Sequence, residues 1–368
     1  MHESLVHLVY RCLRRWCWRL GGCVLCLLAL PLWGAGLGGA DSLYQVRWPV
    51  SSQADSQREA AFTAGLETVL VRLTGDRGVA ERPGVAQELA SAHAYVEQFG
   101  YRQPAGLDGV LELEVRFSPR QVRGLMSRNR LPLWPARRPR LLVWLAVEDG
   151  YRRVLLRPGQ QPEWFKPLAT AASRRGLPLV FPVRAEDTRE TVRVEDLWPL
   201  FPDAVTDLSE PYLADAVLAG RLVATTGGDW VGRWLLIDEA GARYFDLTAE
   251  QASGALGGAI DQVADLWAER YRLRGSTNPN AQLMVVEGVE SAASFAALSG
   301  YLEALEWLGG AQLQVVLPTQ LQFELVAAPD RQQMERLLGL DSQLVPVEPL
   351  VDGGASGDES MHYRWIGP

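Results

Sequence analysis

Arg140-Leu-Leu-Val-Trp-Leu-Ala-Val147 is the stretch on which the fold turns, because seven apolar residues follow one another with no polar residue between them. A strand with one wet face alternates, whereas one that is apolar throughout is buried on both faces, as in a parallel sheet covered by helices. The residues that follow fit such a sheet. Asp149-Gly150 reads as a turn into Tyr151–Leu156; Trp164, Phe165, Leu168 and Ala172 mark a helix ended by Gly176; Leu177–Val183 reads as a second apolar strand. Residues 184–202 show no clear period. After a short helix beyond Ser209 and Pro211, the segments 216–225, 230–237 and 244–247, separated by Gly227-Gly228 and Ala240-Gly241, predict a three-stranded antiparallel meander. A long helix through Leu256, Ile260, Val263, Trp267 and Tyr271 closes a central α/β module, 140–274.

Upstream, residues 41–130 predict an α+β module in the order strand, helix, helix, strand, helix. Tyr44, Val46 and Trp48 alternate with polar neighbours; Ser56 and Glu59 read as a capping box opening a helix through Leu73 to Gly75; Val85, Leu89, Ala92, Val96 and Phe99 fit a second helix closed by Gly100. Leu111–Phe117 alternates as a half-buried strand, and Ser118-Pro119 opens a short helix. Prolines 132, 135 and 139 make 131–139 an extended linker. Downstream, residues 281–348 read as strand, helix, strand, strand, helix, strand, the ferredoxin-like order, and the glycine-rich 349–368 as a disordered tail. The fold class is multi-module α/β and α+β, with mixed sheets and packed helices.

The four cysteines, Cys12, Cys17, Cys23 and Cys26, all lie in a leader with a basic front (Arg11, Arg14, Arg15, Arg19), an apolar stretch from Leu20 to Trp33 and a small-residue end at Gly38-Gly39-Ala40. That order predicts a signal peptide, residues 1–40, cleaved near Ala40 to give a periplasmic protein. The alternative is an inner-membrane anchor over residues 20–40, the only membrane contact expected. The formal charge is -8; the leader holds four Arg and one Glu, so residues 41–368 carry -11. A nucleic-acid partner is therefore not expected.

Past the leader no cysteine remains, and only His93 and His362, so thiol catalysis is excluded and a Ser-His dyad or zinc site would need the tail. Neither a phosphate-binding glycine loop nor a G-x-S-x-G elbow is present, so no catalytic residue, cofactor or metal is assigned. Asp203, Asp207, Glu210 and Asp215 are the best local carboxylate cluster for a glycan hydrolase, ahead of Glu112 and Glu114 on the wet face of a strand. Between Arg116 and Arg157, eleven arginines face two acids, and Arg137, Arg138, Arg140, Arg152 and Arg153 are candidate contacts for an anionic surface. The principal expectation is a non-catalytic binding or assembly factor that contacts other envelope proteins or polymers. The two alternatives are the hydrolase and the anionic-surface docking protein.

Tyr44–Val50 with Val69–Gly75, Pro139–Leu145, Asp215–Arg221 and Trp230–Trp234 together resemble the exported bacterial proteins of domain-of-unknown-function family 2066. That resemblance implies no activity and no catalytic residue. The middle module, Tyr212–Tyr271, is also similar to the α/β domains of envelope assembly lipoproteins, including the curli secretion channel family and activators of penicillin-binding proteins.

Overall fold

The computed structural model describes residues 40–103, 111–150, 152–182, 192–273, 282–326, 328–347 and 360–367. The leader readings lie outside them. In the N-terminal part, β1 (Gln45–Val50), α1 (Asp55–Thr74), α2 (Pro83–Leu89), β2 (Val96–Arg102), β3 (Leu111–Phe117) and α3 (Pro119–Arg128) form an antiparallel sheet of order β1-β3-β2 with its helices. Phe62, Leu66, Val69, Leu70 and Leu73 recur at helical spacing and are buried together with Val46, Val115 and Phe117. Gly75 ends α1 at φ +70°, a left-handed stop that glycine takes without a Cβ penalty.

Two expectations for this part are corrected. The Ser56–Glu59 capping box does not form, because α1 already starts at Asp55 and its N-cap, Ala54, has no side-chain acceptor. The apolar series from Val85 to Phe99 is not one helix. It divides into α2, a 3-10 turn at Ala92–Tyr95, and β2, whose Phe99 pairs with Val115 and Gly100 with Glu114. Leu89 and Ala92 are buried as the spacing required, yet such a short series is equally satisfied by a helix that stops and a strand that begins.

The central part comprises β4 (Leu141–Asp149), β5 (Arg152–Leu155), α4 (Pro162–Arg175), β6 (Leu179–Val180), α5 (Val194–Leu197), α6 (Pro202–Ser209), β7 (Ala216–Ala224), β8 (Trp230–Asp238), β9 (Gly241–Ala249) and α7 (Ala252–Tyr271). The strand order is β5-β4-β7-β8-β9, with β6 parallel to the start of β4. β4 runs parallel to β7 from Leu141↔Ala216 to Glu148↔Val223, and β7, β8 and β9 are the antiparallel meander. Leu141, Val143, Leu145 and Val147 pack with Leu168 of α4 and Ile260 and Trp267 of α7, while Leu142, Trp144 and Ala146 pack with Leu197, Leu200 and Val205 on the opposite face. The unbroken apolar sequence of β4 thus reflects two covered faces. Of the second apolar strand expected over 177–183, only Leu179 and Val180 are paired among the described residues; residue 183 lies outside them.

Close packing in this sheet rests on Gly220, which lies opposite Trp234 in the ladder. A Cβ at position 220 would stand 2.2 Å from the ring of Trp234, a side chain with no solvent exposure. The indole cannot give way without disturbing the core, so Gly220→Ala is expected to destabilise the chain by about 2–3 kcal/mol. Thermal unfolding checks this; a melting temperature equal to that of the unaltered chain would show that the ring has room to move.

The last part contains β10 (Gln282–Glu287), α8 (Ala292–Ala304), β11 (Gly310–Val316), β12 (Gln320–Val326), α9 (Arg331–Gly339), β13 (Leu344–Pro346) and β14 (Met361–Trp365), with strand order β11-β12-β10-β14-β13. The first six elements keep the expected order. β14, however, occupies the place beside β10 that the ferredoxin-like pattern gives to its fourth strand. It is parallel to β10 and antiparallel to β13. The expectation of disorder over 349–368 is therefore corrected for 360–367; residues 348–359 lie outside the described set. Met361, Tyr363 and Trp365 are buried and alternate with His362 and Arg364, so a period of two is present within a stretch whose average composition is polar.

From Ala40 onward the described residues form one compact unit. The segment expected as a linker, 131–139, is extended but is no free spacer: Trp134 and Arg138 are buried, and Leu133 bridges Leu273. Among the described residues no helix is long and apolar enough to cross a membrane.

Candidate functional site

Arginines dominate the polar interior, and their first task is to close helix ends. α1 and α4 terminate near each other at Gly75 and Gly176, leaving carbonyls that have no partner within their helices. Nη1 of Arg138 donates to the carbonyls of Arg175 (2.7 Å) and Gly176 (3.0 Å), and its Nη2 donates to that of Arg72. The guanidinium also lies 3.8 Å over the ring of Trp134. Arg72 donates through Nε to Ser173 O at 2.8 Å and through Nη1 to Gln45 O at 2.6 Å. Arg175 reaches Gly75 O at 3.0 Å and Asp265 at 2.6 Å.

Burial, reinforced by the neighbouring Arg72 and Arg175, lowers the pKa of Arg138 to about 9, and burial lowers that of Arg72 to about 10. Both remain cations at neutral pH. The partial negative charge of two helix C-termini offsets their desolvation, so these residues join the first sheet to the central one.

The five arginines proposed for an anionic surface do not form a set. Arg138 is buried in the junction just described, which corrects its assignment as a surface contact. Arg137 donates to Leu340 O at 3.1 Å and lies 3.6 Å from Asp341. Arg140 pairs with Asp215, whose Oδ2 also accepts the Arg140 amide at 2.7 Å. Arg153 pairs with Glu148 at 2.9 Å and stands over Trp198. Only Arg152, on edge strand β5, is exposed without an ion pair among the described residues.

The carboxylates are no better suited to chemistry. Asp203, Asp207, Glu210 and Asp215 are all exposed, with Asp203 and Asp207 on α6, and Asp215 is engaged by Arg140. A glycosidase acid needs an enclosure to raise its pKa. Among the described residues no group of three or more His, Cys, Asp or Glu side chains is placed to hold a metal.

β14 does create a pair that lay in the supposed tail: Ser360 Oγ is 2.9 Å from His362 Nε2, beside a cavity of about 230 Å³ lined by Arg331, Glu335 and His362. Ser360 is only 4% exposed, and it does not line that cavity. A nucleophile needs access to its substrate, so the contact is read as a structural one.

The sequence reading missed a different feature, at the opposite edge of the last sheet. Among the described residues, five of the thirteen exposed large apolar side chains fall in one hairpin: Leu313, Val315, Val316, Leu317 and Val326. The adjoining helix α8 carries no charge from Ala292 to Leu302 yet buries only Leu298 and Leu302, and its Phe295 is exposed. A helix of that kind is ordinarily covered. No charged residue occurs from Trp307 to Phe323 or from Ser291 to Leu302, which was the legible signal.

Comparison with known proteins adds family information at one end only. A domain of unknown function, DUF8605, matches residues 39–135, about a quarter of the chain. This overturns the resemblance to family 2066, since Tyr44–Val50 and Val69–Gly75, two of the pieces that carried it, lie inside the matched segment. No curated protein matches the chain. Among solved structures, one described as the crystal structure of an uncharacterized protein is similar at 14% identity over 36% of this chain and 90% of its own, with a TM-score of 0.17, too slight a likeness to bear on fold or function.

Proposed function

We propose that this chain is an exported, non-catalytic binding or assembly protein of the bacterial cell envelope, and that it engages its partner through the edge formed by β11 and α8. The observation that carries this reading is the exposed hairpin, free of charge from Gly310 to Phe323, beside a helix free of charge from Ala292 to Leu302. The three-zone leader supports export, and the small-residue end at Ala40 supports release to the periplasm. The solvated carboxylates and dispersed arginines lend little to the hydrolase and anionic-surface alternatives.

The test places a photo-crosslinking residue at Val316 and, as a control, at Val154 on β5, in cells producing the full chain. Discrete adducts at 316 and none at 154 are expected. Equal labelling at both positions, or none at 316, would remove the edge from consideration.

A further inference from the structure

We infer that the β11 edge pairs with β11 of a second copy of this chain, giving a two-fold dimer with one continuous sheet; this rests on the docking reading above. Edge strands carry unpaired main-chain donors and acceptors, and natural proteins block them with charge, proline, brevity or a bulge. Among the described residues the other edges are blocked in these ways, β6 by having only two residues. β1 holds Arg47 and Pro49, β2 holds Glu97 and Arg102, β5 holds Arg152 and Arg153, β9 holds Arg243 and Asp246, and β13 has three residues ending in Pro346. β11, Gly310-Ala-Gln-Leu-Gln-Val-Val316, has seven residues, no charge and no proline.

Its single irregularity is a bulge between Leu313 and Val315. A bulge can itself guard an edge by twisting it, yet this one also groups apolar side chains on one face. Leu313 pairs with Phe323 and Val316 with Leu321, both buried on the helix-covered face, so the extra residue brings Leu313 and Val316 to that same face. When two such strands run antiparallel about a two-fold axis, Leu313 of each can stand opposite Val316 of the other. The apolar pairs are then self-complementary, as an isologous contact requires.

Charge selects the same occupant. Two chains carrying -11 each over residues 41–368 repel wherever their acids meet, and the stretch from Trp307 to Phe323 brings none to the contact. A strongly charged partner strand would find no counter-charge on β11.

The experiment measures the mass in solution of the protein purified from cells expressing residues 1–368, by light scattering across a concentration series. A dimer is expected for the unaltered chain. Val316→Lys, at a position already 66% exposed, is expected to raise the dissociation constant at least about tenfold, while Val154→Lys leaves it unchanged. Circular dichroism and melting temperature confirm that both variants are folded, and Gln312→Lys supplies a second edge charge should Val316→Lys disturb the fold. A monomer at all concentrations, or a dimer indifferent to both lysines, overturns the inference. If the protein is monomeric while the crosslinker at 316 still captures other proteins in cells, self-pairing fails and the docking reading stands; if it is monomeric and captures nothing, both fail.

Discussion

Arg138→Ala is expected to destabilise the protein by about 3–5 kcal/mol, because the removed group is a buried cation whose partners cannot turn to water. The change strands the carbonyls of Arg72, Arg175 and Gly176, which Arg138 bridges between two helix ends. Each buried acceptor left unpaired costs about 1–3 kcal/mol, and the contact with the Trp134 ring is lost as well. Arg138→Lys is expected to recover less than half of the loss, since an ammonium cannot span two helix termini as the planar guanidinium does. Arg137, one residue away, provides the contrast: its own side chain is more than half exposed, but its partner Asp341 is buried, so Arg137→Ala is expected to cost about 1–3 kcal/mol, less than Arg138→Ala. Melting temperatures decide the matter, with a fall of about 5 °C expected for Arg138→Ala and a smaller fall for Arg137→Ala. Equal melting temperatures would mean that the junction between α1 and α4 is held by something other than this side chain.

That contrast marks a limit of what the sequence discloses. Arg137 and Arg138 are neighbours in a proline-bounded extended segment, where neither periodicity nor composition says which side chain faces inward. β4 was legible because burial on both faces leaves an unbroken apolar signature, and α1 because twenty residues give its spacing time to repeat. Short elements are less secure. Val85–Phe99 satisfied a helical period over too few residues to exclude a turn and a strand, and β14 offered only three alternating positions after a glycine-rich stretch.

The candidate binding edge was half legible. The ferredoxin-like order already places its second strand at an edge, and Trp307–Phe323 visibly lacks charge. What the sequence withheld was exposure, which depends on how little of α8 and β11 the rest of the sheet covers.

Ending the chain at Gly357 is expected to unfold the last sheet while leaving the central one folded. The truncation removes β14, and with it the ladder partner of β13 and one of the two partners of β10. Met361, Tyr363 and Trp365 are nearly wholly buried, and each contributes about 1.5–3 kcal/mol of apolar burial. Trp365 also packs against the ring of Tyr301, centroid to centroid 5.5 Å, which ties the C-terminal strand to α8. Together these losses exceed what a small sheet can forgo, given that whole domains are stable by only about 5–15 kcal/mol. Hydrogen exchange is expected to show rapid exchange across β10 and β12 in the truncated chain and continued protection of β4 and β7, whose partners are untouched. Adding a peptide of residues 358–368 in trans is expected to restore protection to β10, because β14 supplies its own hydrogen-bonding edges and its own apolar face. Protection of β10 without that peptide would show that β13 can close the gap and pair directly with β10, the simpler ferredoxin-like arrangement that β14 displaces.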